Sequence, residues 1–161
     1  MKTAINGKKL LRLCLALLLV LALLPMEAFA ADNLSYDPTG DPLKFTGSGD
    51  MQNYTRAGAP WYSYRDKFRT VTFANDSITS VGNYAFWGFT RLSYVNLASR
   101  MTRIGDYAFS GCSSLQQIKV RGSSSINQVE FPTTITSIGS YAFENRSRLL
   151  GSFLLPPPVT V

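Results

Sequence analysis

Histidine, the side chain most often used as a general base or zinc ligand, is absent from all 161 residues. The other groups able to do chemistry are thinly placed. Cysteines stand only at Cys14 and Cys112, too few for a disulfide scaffold. Asp106 and Glu144 lie beside a recurring string, but neither has a base or a second carboxylate at the spacing an acid pair needs. A hydrolase would have to run on Ser, Thr or carboxylates alone, and nothing in the spacing supports one. The expectation is a protein with no catalytic residue, no cofactor and no metal. Asn33, Asn53, Asn75 and Asn145 each open an Asn-x-Ser/Thr triplet, a pattern short enough to occur often by chance.

The formal charge is +6, and it is uneven. Lys2, Lys8, Lys9 and Arg12 precede a leucine-rich run, opposed only by Glu27. From Ala31 onward twelve Lys and Arg face nine Asp and Glu, a balance of +3 over 131 residues. A nucleic-acid footprint wants a clustered basic stripe, so no nucleic-acid partner is expected.

Residues 1–30 have the layout of a secretory signal peptide: the basic start, the apolar run Leu13–Leu24, Pro25, and the small-residue site Ala28-Phe29-Ala30. The apolar run has 12 residues, where a membrane-spanning helix needs about 20. Cleavage after Ala30 would leave a secreted or cell-surface protein with no further membrane contact and one thiol, Cys112, in an oxidising compartment.

The rest of the chain is organised by a repeat. Ile78-Thr-Ser-Val81-Gly82-Asn-Tyr84-Ala85-Phe86 recurs 23 residues later as Met101-Thr-Arg-Ile104-Gly105-Asp-Tyr107-Ala108-Phe109. A third copy, Ile135-Thr-Ser-Ile138-Gly139-Ser-Tyr141-Ala142-Phe143, follows after 34 residues, one period plus an 11-residue insertion. Six residues beyond each Phe stands a leucine: Leu92, Leu115 and Leu149. Alternating pairs Val71/Phe73, Val95/Leu97 and Ile118/Val120 suit short strands with one buried face. Gly88, Gly111 and Asn145, two residues past each Phe, adopt left-handed backbone cheaply, so each unit is expected to contain a helical turn that stops there. Stacked units would line up Phe86, Phe109 and Phe143 as an internal column, with Val81, Ile104 and Ile138 beside it. No unit of this size buries its apolar face alone, and about three are needed for a stable array.

These strings, with Gly111-Cys-Ser-Ser-Leu115, resemble the BspA-like leucine-rich repeats of bacterial surface and secreted proteins. Leu43–Met51 and Ala59–Tyr64 are similar to the cap that often precedes the first repeat, so the likeness spans roughly 43–161. It implies a mixed α/β solenoid: a right-handed coil with a short-stranded parallel sheet on one side and helical turns opposite. It also implies adhesion or host-protein binding rather than catalysis. The organisation expected is a signal peptide at 1–30, an N-terminal segment and cap at 31–67, and repeats at 68–161.

The sequence departs from the family pattern in three places. The insertion near 121–131 separates Ile118-Lys-Val120 from a second strand-like string, Val129-Glu-Phe131; either could continue the stack, or the two could pair as a hairpin. Arg146 stands where Cys112 stands one unit earlier. Phe153–Val161 resembles the start of a unit that stops short, so self-association through an uncapped C-terminal end is expected, as is the alternative that the chain is the first piece of a longer repeat protein.

Among candidate site residues, the recurring Tyr84, Tyr107 and Tyr141 read as scaffold and Cys112 as a small buried thiol. The candidates for partner binding are the outward ladders Thr70/Tyr94/Gln117 and Thr72/Asn96/Lys119. Trp87, just after a core Phe, is expected at the surface as a hot spot, and Trp61 over the open end of the first coil. The partner expected is a host or bacterial surface protein.

Overall fold

The structure, a computed structural model, describes residues 33–124 and 129–145. The signal segment with Ala28 and Ala30, insertion residues 125–128, Arg146, Leu149 and the string Phe153–Val161 lie outside the described residues.

Among the described residues nine strands run in the order β1 (Leu34–Asp37), β2 (Leu43–Gly47), β3 (Gly49–Asp50), β4 (Thr70–Phe73), β5 (Ile78–Val81), β6 (Tyr94–Leu97), β7 (Arg103–Ile104), β8 (Gln117–Val120) and β9 (Ser137–Ile138). They form two sheets, ordered β1-β2-β4-β6-β8 and β3-β5-β7-β9. Only β1 and β2 pair antiparallel; every other pairing is parallel, each strand lying on its counterpart from the previous coil. The stacked coil inferred from the repeat is therefore present.

The first sheet follows the alternation in the sequence. Val71, Phe73, Val95, Leu97 and Ile118 are buried, and Val120 is half-buried. Leu92 and Leu115, which open two of these strings, are fully buried too. Beyond the insertion, Val129 bridges to Ile118 in parallel, and the Glu130 N–H donates to the Ile118 carbonyl at 2.8 Å. The string Val129-Glu-Phe131 thus continues the stack, and a hairpin with β8 does not form.

Opposite this sheet the structure corrects the expected helical turns. No α-helix occurs among the described residues; one 3-10 turn at Tyr62–Tyr64 lies ahead of the repeats. Where helical turns were expected, a second parallel sheet is followed by an irregular turn. The physical reason lies at the motif tyrosines. Tyr84, Tyr107 and Tyr141 have φ of 54°, 53° and 57°, and a left-handed residue interrupts the consecutive right-handed backbone that helix nucleation requires. Gly88, Gly111 and Asn145 are left-handed as expected, at 72°, 74° and 57°.

These turns are tied coil to coil. The N–H groups of Tyr84, Phe86 and Gly88 donate to the carbonyls of Asp106, Ala108 and Ser110 at 2.8–2.9 Å. Those of Tyr107, Phe109 and Gly111 donate in the same way to Ser140, Ala142 and Glu144. The turn column therefore satisfies alternate backbone donors across coils without regular secondary structure. Coils approach closely here: a Cβ at Gly105 would collide with Asn83, and one at Gly139 with Asp106.

Inside, Phe86, Phe109 and Phe143 stack at ring distances of 5.2 and 5.4 Å, nearly parallel. Val81 and Ile104 are fully buried beside them, and Ile138 nearly so. Phe86 also meets Trp61, which is 2% exposed among Tyr36, Phe45 and Tyr54. The Trp61 indole N–H donates to the Ala85 carbonyl at 2.7 Å, so its single polar atom is satisfied in the core.

Candidate functional site

The parallel register sets the outward face of the first sheet. Thr70 pairs with Tyr94 and Tyr94 with Gln117; Thr72 pairs with Asn96 and Asn96 with Lys119. Gln117 is exposed, and the other five are half-buried, as expected for neighbours on a sheet surface. The second row is longer than the sequence suggested. Lys44 pairs with Thr72 and Asp37 with Lys44, so the row runs Asp37-Lys44-Thr72-Asn96-Lys119 across all five strands. Sequence reasoning missed Lys44 and Asp37 because β1 and β2 do not carry the repeat.

One edge of this face is held by polar contacts. The Asp41 carboxylate accepts from the Thr70 N–H at 3.1 Å and the Arg69 N–H at 3.3 Å. Lys67 donates to the Pro38 carbonyl and Arg91 to the Asp66 carbonyl. At the opposite end of the strands, the Asp76 carboxylate accepts from the Ser99 N–H at 3.0 Å and pairs with Arg121 at 3.1 Å, which anchors the start of the insertion to the first repeat. The Ser99 hydrogen bonds, with Arg121 adding to them, hold Asp76 below the usual carboxylate range. Asp50 is lowered likewise, chiefly by the hydroxyl of Thr79, which donates to it at 2.7 Å.

Trp87 is not the bare surface ring expected from its position. It is half-buried, with the Arg56 guanidinium carbon 4.2 Å from its ring centre and Tyr62 stacked at 6.0 Å. Cys112 is fully buried, its Sγ 3.2 Å from the Phe86 carbonyl oxygen, and burial pushes the thiol pKa far up. Such a thiol stays protonated and is a poor nucleophile.

Asp106 works as scaffold. Its carboxylate accepts from the Ser140 N–H at 2.8 Å, as Asn83 accepts from the Asp106 N–H at 2.9 Å and Asn53 from the Asn83 N–H at 3.0 Å. Each side chain at this position thus receives the next coil's backbone. The signal was visible as Gly-Asn, Gly-Asp and Gly-Ser in successive copies, yet its meaning needs the neighbouring coil. Among the described residues, no group of three or more Cys, Asp or Glu side chains could hold a metal ion, and no helix is long and apolar enough to cross a membrane.

Two parallel sheets and a turn column stacked coil on coil define a leucine-rich-repeat solenoid. A family model, "BspA type Leucine rich repeat region", matches residues 52–125 in six copies, so this stretch of the chain is similar to the leucine-rich repeats of the BspA type. The third motif copy, Ile135–Phe143, lies beyond that match and stacks on the second through β7 and β9. Among solved structures, a leucine-rich repeat protein from Eubacterium ventriosum is 33% identical with a TM-score of 0.52, over 65% of this chain and 31% of that one. The chain thus spans about a third of that protein's length. A leucine-rich repeat protein from T. pallidum is 20% identical with a TM-score of 0.42, over 74% of this chain and 68% of that one. No curated protein matches the chain. Repeat proteins of this type are generally non-enzymatic protein-interaction modules of bacterial surfaces or secretions.

Proposed function

We propose that this chain is a secreted or cell-surface binding module that engages a host or bacterial surface protein through the outward face of the first sheet. One observation carries the reading: the polar and aromatic rows Thr70/Tyr94/Gln117 and Thr72/Asn96/Lys119 stand in unbroken register on three neighbouring strands of the five-stranded sheet. Their side chains differ from coil to coil while the buried positions repeat. A rigid surface with variable outward residues lets a solenoid bind at low ordering cost. Residues 1–30 would direct export, 31–67 would close the first coil, and the coil would take the right-handed sense that parallel crossovers favour.

The test is binding of the purified protein to immobilised extracellular-matrix proteins and mucins. Saturable binding to one of them, weakened about tenfold or more by combining Tyr94→Ala, Asn96→Ala and Lys119→Ala, supports the reading. Equal binding by that triple variant, or none by the parent, counts against it.

A further inference from the structure

Away from the strand face, four side chains outside the repeat pattern lie one upon another. The Arg56 guanidinium covers Trp87 at 4.2 Å, Trp87 stacks on Tyr62 at 6.0 Å with 21° between the planes, and the Arg65 guanidinium covers Tyr62 at 4.7 Å. The positions equivalent to Trp87 in the next two coils hold Ser110 and Glu144, so the solenoid does not need a ring here. Arg56 is exposed, while Trp87, Tyr62 and Arg65 are half-buried.

The charges on this stack are unequally satisfied. Arg65 reaches Asp66 at 3.4 Å. Among the described residues no carboxylate lies within ion-pair distance of Arg56. Arg56 is exposed with its guanidinium carbon over the indole, and a guanidinium's planar N–H fork can grip a carboxylate with two hydrogen bonds. The rings beneath it offer an apolar floor beside that grip.

The number of charges selects the partner. Sulfated polysaccharides and nucleic acids gain affinity from many neutralised charges along a basic stripe. Here one guanidinium is free of a carboxylate and the other is already paired, which suits a ligand of low charge density with apolar groups next to its acid.

We propose that Arg56, Trp87, Tyr62 and Arg65 form a docking site for an acidic polypeptide segment, with a carboxylate held by Arg56 and a neighbouring apolar side chain resting on the Trp87 and Tyr62 edges. The proposal shares with the strand-face reading only the premise that the partner is a polypeptide, and it uses a different surface.

The probe is a short labelled peptide of alternating glutamate and leucine, followed by fluorescence anisotropy with the purified protein. Its glutamine–leucine counterpart and a heparin fragment serve as controls. The glutamate peptide should bind saturably and at least about tenfold tighter than the glutamine peptide. Arg56→Ala should weaken it about tenfold. Arg56→Lys, which keeps the charge but loses the flat fork, should weaken it several-fold, as should Trp87→Leu. Lys119→Ala and Tyr94→Ala should leave it unchanged. Equal binding of the two peptides, full binding by Arg56→Ala, or heparin binding without peptide binding would overturn the site. A loss on Lys119→Ala equal to that on Arg56→Ala would also overturn it, while leaving the strand face as the binding surface.

Discussion

The string Gly-x-Tyr-Ala-Phe builds one aromatic column inside this protein and another outside it. The inner rings, Phe86, Phe109 and Phe143, stack at 5.2 and 5.4 Å; the outer rings, Tyr84, Tyr107 and Tyr141, stack at 4.9 and 5.0 Å. The spacings nearly agree because both columns take the rise between parallel strands, about 4.8 Å. Their surroundings do not agree. Phe86 and Phe109 are sealed in the core, whereas Tyr141 is 58% exposed and all three tyrosines carry a left-handed backbone. Stacking is thus imposed by the coil, and burial determines how much it contributes to stability.

The largest test of that difference is Phe109→Ala, which opens a cavity between two stacked neighbours and should cost about 3–5 kcal/mol in denaturant unfolding. Tyr107→Ala, by contrast, should cost no more than about 1–2 kcal/mol, the value of two ring pairs outside the sealed core, since Tyr107 is only half-buried. Comparable losses from the two would show that stacking, not burial, holds the coil.

A second test concerns the approach of the coils that both columns require. A Cβ at Gly105 would collide with Asn83, including its backbone N, so Gly105→Ala should destabilise by about 1–3 kcal/mol. An unchanged melting temperature would mean that the turns sit farther apart than these positions indicate.

The third test isolates backbone strain at the outer column. At Tyr107 the ordinary preference for alanine over glycine should reverse, with Tyr107→Gly about 1 kcal/mol more stable than Tyr107→Ala, since only glycine holds this conformation without steric cost. Alanine proving better would place that residue in right-handed backbone.

The smallest effect is a pH dependence. The carboxylates of Asp50 and Asp76, between coils, are lowered mainly by hydrogen bonds in the fold. The stability they contribute is complete above the ordinary carboxylate range near 4 and is lost as pH falls through their lower folded values. Acid unfolding should therefore be shallower in the Asp50→Asn, Asp76→Asn double variant. An identical acid slope would remove these contacts from the account.

Much of the inner half was legible in the sequence. The Val71/Phe73, Val95/Leu97 and Ile118/Val120 pairs alternate at period two, and the Phe column follows from identical strings in successive units. The outward rows follow from the same alternation, although Lys44 joined one row only through the β2–β4 pairing and Asp37 only through the β1–β2 pairing. The second sheet was not legible. Ile78-Thr-Ser-Val81 buries its first, third and fourth residues, and β7 and β9 have two residues each, too few for a period to emerge. The left-handed tyrosines were hidden because intrinsic preference reserves that backbone for Gly and Asn. The packing of Trp87 was hidden because Arg56 and Tyr62 reach it from outside the repeats.

The amino-acid order alone determined that equivalent coils must stack and which of their residues face inward, because a repeated apolar string has no other place to bury its surface. The tertiary structure alone decided that the turns carry a second sheet, that Val129 rather than a hairpin follows β8, and that Asn83 and Asp106 each hold the next coil. Those outcomes rest on hydrogen bonds between residues 23 to 34 apart or across the insertion, donor to acceptor between coils, which no local pattern specifies.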